Sequence, residues 1–421
     1  LEFRKINIDR LKHAEYNPRK DLKPGDAEFE KIKNSITEFG YCEPIIVNSD
    51  MTIIGGHQRA KVLKELGYTE IDCVVINIDK TKEKALNIAL NKVTGEWDFE
   101  SLAKLLDELK EEDYNIELTG FDFSEAEKLW DEYISENKRD YYKDDDFDIE
   151  LPEEPVTKRG DIWLLGKHRL MCGDACNESD VAALMREDFA DMVFTDPPWN
   201  VNYGATEHPS WKQRTILNDS MTTEEFKKFL DSAFKVMNKF SKPGCMTYVV
   251  MSAQEWGNLM LSLKENGYHW SSTIIWNKDR LVLSRKDYHT KYEPIWYGWS
   301  DGSARLHPLT DRQQCDVWDI PRPSVSELHP TTKPVELVVR AIKNSSNMKD
   351  IVLDLFGGSG TTLIACEETD RRCRMMELDE KYADVIVKRY IDKVGSDADV
   401  FVLRDGEKIR YADIKREQVV V

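Results

Sequence analysis

An acid, two consecutive prolines and an aromatic plate stand together in "FTDPPWN", residues 194–200, directly after the strand-like run "ADMVF". Proline fixes φ and donates no N–H, so two in a row end a sheet ladder and stiffen the chain. Asp196 then sits at a carboxyl-end strand tip, where open α/β sheets bind ligands. Pro197 and Pro198 carry Trp199 just beyond it. An ionised carboxylate is a pure acceptor, and the Pro197 carbonyl is a second one. Two acceptors beside a flat ring suit a planar heterocycle with an N–H to donate. Taken alone, the same residues also suit a Pro-Pro turn with a solvated Asp and a packed Trp.

A second constellation lies in "DIVLDLFGGSGTTLIACEETDRRCRMMELD", residues 350–379. It reads as strand, glycine-rich turn, helix, and a second strand ending in acids. Glycines let the backbone approach a ligand closely, and the helix start offers free N–H groups. Glu377 follows Gly358 by 19 residues, where a carboxylate can take the two hydroxyls of a ribose. A dinucleotide site requires a third glycine, but Leu363 stands there; a P-loop requires Gly-Lys-Ser/Thr, which is absent. A nucleoside ligand without a pyrophosphate fits better, and S-adenosylmethionine is one.

The elements that must position these residues follow from periodicity. From residue 158 onward, "ADMVFTD", "GCMTYVVM", "WSSTIIWNK", "YEPIWYGW", "DIVLDLFGG" and "RRCRMMELD" read as strands. "TEEFKKFLDSAFKVMNKF", "SAQEWGNLMLSLKENG", "KPVELVVRAIKNS" and "DEKYADVIVKRYIDKV" read as helices. Such alternation predicts an α/β, doubly wound, mostly parallel sheet. Ahead of it, residues 1–95 predict a small α/β domain, with strands at "EPIIVN" and "DCVVINI" and helices ending at Gly40 and Gly67. Residues 96–157 predict a helical acidic connector. "FESLAKLLDELKEE" puts Leu102, Leu105, Leu106 and Leu109 on one face, "FSEAEKLWDEYI" does so with Leu129, Trp130 and Tyr133, and 140–157 reads as a linker.

The 421 residues carry a net charge of −19, which argues against a nucleic-acid binder until it is located. Residues 96–155 hold 23 Asp/Glu against 6 Lys/Arg, leaving only −2 for the other 361 residues. Eight scattered cysteines match no zinc or redox spacing, which predicts reduced thiols and a cytoplasmic protein. The polar start and the lack of any long apolar run predict no signal peptide and no membrane span.

With "TDPPWN" preceding "DLFGGSGTT", the region 158–395 resembles the amino-methyltransferases of DNA, in the order of the β class. "HPTTKPVELVVRAI" (329–342) resembles that family's cofactor segment, and "GDIWLLGKHRLMCGDA" (160–175) its lead-in to the catalytic motif. Trp199 stands where the family more often has Tyr or Phe. The resemblance implies a Rossmann-like methyltransferase domain over 158–421 that binds S-adenosylmethionine through Asp174, Asp354, Phe356, Gly357, Gly358, Gly360, Thr361, Thr362 and Glu377. Lys333 is expected near the methionine carboxylate. The resemblance also implies, as target, an exocyclic amine of double-stranded DNA, adenine N6 before cytosine N4, in a base flipped from the duplex. An RNA target, or a DNA-binding regulator with an inactive methyltransferase half, are the alternatives. Sequence readout is expected within 200–325, where Lys212, Arg214, Lys278, Arg285, Lys286, His289 and Lys291 mix with aromatics as a DNA-facing surface does.

"NPRK" (17–20) and "IGGHQRAKVLKELGYTEIDCVVIN" (54–77) are similar to ParB-like domains, whose box holds phosphate groups. The corresponding residues are Arg19, Gly55, Gly56, His57 and Arg59, with Gln58 in place of an arginine. Sulfiredoxin shares this fold but needs a cysteine where Gly56 stands. The family setting is compatible with a homodimer and with no metal.

Overall fold

The computed structural model describes residues 2–92, 97–112, 114–121, 123–133, 151–201, 220–282, 287–309, 311, 313–322 and 332–414. It divides into two compact units, residues 1–138 and 139–421.

The first unit is built on strands β1 (Glu2–Asn7), β2 (Ile45–Asn48), β3 (Ile53–Gly55) and β4 (Glu70–Ile76), with helices α1 (Ala27–Phe39), α2 (His57–Glu65), α3 (Lys80–Asn91), α4 (Phe99–Glu111) and α5 (Phe123–Tyr133). The strand order is β1-β4-β2-β3, parallel only between β2 and β4. Phe29, Ile45, Val47, Ile53, Val62, Leu63 and Ile71 form its core. Gly40 ends α1 with φ 75, and the Asp79 and Asp98 side chains cap α3 and α4 by accepting from Lys82 N and Ser101 N. Leu102, Leu105, Leu106 and Leu109 are all buried, as their spacing predicts. Each contributes about 1.5–3 kcal/mol of burial. Trp130 is buried too, and its indole N–H donates to the Ala103 carbonyl at 3.1 Å.

The second unit holds strands β5 (Ile162–Leu165), β6 (His168–Cys172), β7 (Ala190–Thr195), β8 (Ser241–Val250), β9 (Tyr268–Val282), β10 (Thr290–Ser300), β11 (Val317–Asp319), β12 (Ile351–Asp354), β13 (Arg372–Glu377), β14 (Val400–Arg404) and β15 (Glu407–Arg410). Its helices are α6 (Glu178–Met185), α7 (Thr223–Lys239), α8 (Trp256–Glu265), α9 (Val335–Ser345), α10 (Thr361–Glu368) and α11 (Glu380–Val394). All eleven strands join one sheet, in the order β11-β9-β10-β8-β7-β12-β13-β6-β5-β14-β15. The run β8-β7-β12-β13-β6 is parallel throughout. The wings are antiparallel, apart from the β9–β11 pair. The sheet is therefore mixed, with a parallel centre, because hairpins rather than helices connect β9 to β10, β5 to β6 and β14 to β15. Helices α6, α7 and α8 pack on one face, and α9, α10 and α11 on the other.

The centre of the sheet sets the site. From β7 the chain crosses through α7 to β8 on one side. From the adjacent β12 it crosses through α10 to β13 on the other. The connections part between β7 and β12, and a doubly wound sheet opens its ligand crevice at the carboxyl ends of such a strand pair. The expected linker 140–157 lies partly outside the described residues. Its end is anchored rather than solvated: the Val156 and Thr157 N–H groups donate to the Asp384 carboxylate at 2.7 and 3.0 Å.

Candidate active site

Asp196 is the first residue after β7, with its carboxylate partly exposed. Trp199 turns back on it, and the indole Nε1–H donates to Asp196 Oδ1 at 2.9 Å. Asn200, left-handed at φ 55, closes this strap by accepting from Met221 N at 2.6 Å through Oδ1. The strap is thus braced at both ends, and the plate and the acceptor are held in one geometry.

One strand over, the turn after β12 is knitted from within. The Asp354 carboxylate is buried and turned toward the sheet, accepting from Thr195 Oγ1 at 2.8 Å, Thr362 Oγ1 at 2.7 Å and Phe356 N at 3.1 Å. It therefore stitches β7 to β12 and does not point to a ligand. Thr362 spends its hydroxyl hydrogen there, and Thr361 donates to the Lys333 carbonyl at 3.3 Å. Both threonines are buried, so the expectation that their hydroxyls hold a cofactor is corrected: they shape the turn. Gly358 and Gly360 have φ 52 and 85, and Gly358 has open space where a Cβ would stand. At Gly357 a Cβ would meet Met375 Sδ at 2.9 Å, so only glycine lets the turn pass this close. Glu377 ends β13 half-buried, with Oε2 accepting from Gly358 N at 2.7 Å and Oε1 from Asp379 N at 2.9 Å. Asp174, at the tip after β6, accepts from Cys176 N at 2.9 Å. Phe356 packs near Phe229, with ring centres 5.8 Å apart.

Burial raises the carboxyl groups of this crevice. It pushes Asp354 up to about 7 against the pull of its threonine bonds, and Glu377 up to about 7 against its backbone N–H bonds. Asp196 is raised too, by burial first; the Lys333 ammonium opposes this and Glu293 adds to it.

Lys333 is not placed for a cofactor carboxylate. Its ammonium lies on Asp196 Oδ2 at 2.5 Å, 3.4 Å from Glu293 Oε2 and 4.9 Å from the centre of the Trp199 ring. Lys278 is corrected as well. It is 5% exposed and donates to Glu293 Oε1 at 2.5 Å, so it cannot lie on a DNA-facing surface. Sequence reasoning missed Glu293 entirely. Its one signal was a carboxylate in the middle of the apolar strand "YEPIWYGW". His289 and Lys291 are exposed where β10 begins, whereas Lys212, Arg214, Arg285 and Lys286 lie outside the described residues.

In the first unit, Gly56 caps α2 in the left-handed conformation, and His57 is buried rather than solvated. Burial holds the His57 imidazole down at about 4, aided by His13 and Arg19. The Arg19 guanidinium donates to Asn91 Oδ1 at 3.3 Å, and Arg59 is paired with the Glu43 carboxylate. Gln58, in the place of the second arginine, donates to the Lys20 carbonyl at 2.8 Å.

Residues 190–388 match the N6/N4 DNA methylase family, 2–92 the ParB N-terminal domain, and 100–159 the ParB-methyltransferase HTH domain. The type II methyltransferase M.Cfr9I of Citrobacter freundii is 32% identical over 142 residues, 31% of this chain and 47% of that enzyme. The DNA adenine methyltransferase YhdJ of Escherichia coli is 28% identical over 238 residues, 47% of this chain and 75% of that protein. Among solved structures, the M1.HpyAVI complex with SAM has a TM-score of 0.41 at 21% identity, covering 52% of this chain and 97% of that one. No helix among the described residues is long and apolar enough to cross a membrane.

Proposed function

From the premise that this chain carries an N6/N4 DNA methylase domain behind a ParB N-terminal domain and a ParB-methyltransferase HTH domain, we propose that it methylates the exocyclic amine of a flipped-out DNA base, adenine N6 first, using S-adenosylmethionine. The observation that carries this is the placement of Asp196, braced by Trp199, one strand from the glycine turn at the point where the sheet's connections diverge.

The residues of the turn fit the cofactor. Gly357, Gly358 and Gly360 leave a cradle that a Cβ would fill or strain, and Glu377 ends the next strand beside it. These would hold S-adenosylmethionine, with Asp174 and Phe356 at the neighbouring tip and wall. When bound, it supplies an electrophilic methyl group. The chain's own work is on the nucleophile. An exocyclic amine is a poor one because its lone pair is delocalised into the ring. Ionised Asp196 takes one N–H and the Pro197 carbonyl takes the other, which turns the lone pair out of conjugation. Trp199 stacks on the extruded ring, worth about 1–3 kcal/mol. Positioning of this kind can supply about 7–11 kcal/mol of barrier lowering. Extrusion is required because the amine is not accessible within a duplex. We assign DNA contacts to the exposed start of β10, with His289 and Lys291, and to the basic stretch 203–215. We assign residues 1–95 to the ParB-like part, which strengthens DNA binding.

The test is product identification. The chain is incubated with unmethylated DNA and labelled S-adenosylmethionine, and the DNA is digested to nucleosides. N6-methyladenine is the expected product, and N4-methylcytosine would move the assignment to the other amine. No product from any DNA, with cofactor binding intact, would overturn the reading.

A further inference from the structure

A line of four charges runs inward from the strand tip. Asp196 Oδ2 meets Lys333 Nζ at 2.5 Å, Lys333 Nζ lies 3.4 Å from Glu293 Oε2, and Glu293 Oε1 meets Lys278 Nζ at 2.5 Å. Lys278 and Glu293 are carried by the paired strands β9 and β10, while Lys333 stands in the segment entering α9. The last three are 5%, 9% and 7% exposed for Lys278, Glu293 and Lys333. Of these four groups, methyl transfer as set out above uses only Asp196. Burying ion pairs of this kind is a weak way to stabilise a fold, since desolvation offsets most of the attraction.

Two features give the line a use. The Lys333 ammonium lies on Asp196 Oδ2 while the Trp199 N–H takes Oδ1, so an arriving amine must compete at either oxygen, and the ammonium stands over the Trp199 ring, where a base would stack. Glu293 Oε2, by contrast, is buried and meets no well-aligned hydrogen-bond donor among the described residues, and it lies 3.4 Å from the same ammonium. We propose that Lys333 is passed between two carboxylates, resting on Asp196 until the target amine arrives and on Glu293 while the amine is held, which makes Glu293 a positioning residue for methyl transfer. This rests on the methyltransferase reading.

The physical reason is competition between donors. An ammonium binds a carboxylate more strongly than a neutral amine does. The amine gains Asp196 only if the ammonium has another anion to go to, or it leaves a buried charge unpaired. Glu293 supplies that anion, and Lys278 sets how strongly it attracts Lys333. Glu293→Gln removes the second resting place and traps Lys333 on Asp196. Lys278→Met leaves Glu293 with Lys333 as its one close cation among the described residues and draws Lys333 away. The two changes therefore act on Asp196 with opposite sign. The charged groups facing Asp196 are Lys333 and Glu293, with Asp354 on the next strand; Lys333 and Lys278 face Glu293, and Arg322 lies near Lys278.

The experiment is steady-state methyl transfer by the full chain and both variants across a pH series, with cofactor affinity measured by calorimetry. For Glu293→Gln, kcat should fall about tenfold or more while cofactor affinity stays within about twofold. Its acidic limb should move to lower pH, because a negative charge near Asp196 is gone. For Lys278→Met the acidic limb should move to higher pH. A kcat within about twofold of wild type for Glu293→Gln, or limbs that stay put or move together, would overturn the proposal. If Glu293→Gln does not fold, the limb of Lys278→Met decides alone. Wild-type chain that methylates no DNA would overturn the methyltransferase reading and this proposal with it. Wild-type turnover with unmoved variants would overturn this proposal only.

Discussion

Two strand–glycine–helix turns in this molecule begin alike. Gly56 caps α2 and Gly360 caps α10, both left-handed, at φ 93 and 85, and neither helix start receives a side-chain cap. A Cβ at Gly56 would stand 2.7 Å from Ile45 Cδ1, and one at Gly360 would stand 3.0 Å from Ile386 Cγ2. They differ in what surrounds them. At the α10 turn, Asp354, Thr195, Thr362, Glu377 and Gly358 bond one another, so the backbone is set by its own framework. At the α2 turn, His57 Nε2 and Gln58 Oε1 are buried and find no partner among the described residues. An unmet buried polar atom costs about 1–3 kcal/mol. The methylase turn is thus preorganised by internal hydrogen bonds, whereas the ParB-type turn keeps polar atoms buried at a cost in stability. The same local device serves a rigid site in one unit and a less settled one in the other.

The sharpest way to break the comparison is at the acceptor that the rigid turn serves. Asp196→Asn should lower methyl transfer about a thousandfold, the scale of losing a preorganised transition-state contact. Cofactor affinity should stay near wild type, because Asp196 belongs to the neighbouring strand; calorimetry beside the turnover assay checks both. The glycines come next. Gly56→Ala should destabilise the first unit by about 2–3 kcal/mol, since a left-handed alanine costs about 1–2 kcal/mol before its contact with Ile45. Gly360→Ala should weaken cofactor binding about tenfold or more by the same strain. Hydrogen exchange of α2 amides reads the first and calorimetry the second. Equal loss of cofactor binding in both variants would erase the distinction.

Protonation separates the turns by sign. His57 titrates near 4 in the folded chain, from an ordinary 6.5. Between these values the unfolded chain holds the proton and the folded chain does not. Stability of the first unit therefore falls as pH drops through that window, by up to about 3 kcal/mol. Glu377, raised from 4.5 to about 7, works the other way. Its folded form holds a proton that the unfolded chain has released, so stability falls as pH rises through that window. Denaturation at several pH values should show the first slope flattened in His57→Asn and the second flattened in Glu377→Gln. The smallest effect is expected at Trp199→Phe, which keeps the ring and removes the N–H on Asp196 Oδ1. One hydrogen bond to a charged group is worth about 1.5–3 kcal/mol at most, less where water can replace it. A drop in kcat of roughly tenfold with unchanged cofactor affinity is expected.

Much of this was legible along the chain because it is local. Strands and helices were readable where apolar spacing repeats within one element, as in the buried leucines of α4. The acidic stretch 96–155 looked like a connector because charge dominates its composition. Its apolar minority sits at helical spacing, and Phe99–Glu111 and Phe123–Tyr133 fold as helices in a region that largely matches a ParB-methyltransferase HTH domain. The parallel centre of the sheet followed from strand–helix alternation. The antiparallel wings did not, because two strands close in sequence, such as β9 and β10, were read as strands without their pairing partners being assigned.

By itself the sequence determined the chemistry on offer: a carboxylate and an indole on a proline strap, and a glycine turn with an acid one strand later. Those depend on residue type and short spacing, which no packing changes. Only the tertiary structure decided where the charges go. Lys333 and Asp196 are 137 residues apart, and Lys278 and Glu293 are neighbours only because β9 folds back on β10. A lysine's local sequence does not say whether its ammonium ends in water or on a buried carboxylate. That depends on which strands pair and on the desolvation that only a closed core imposes.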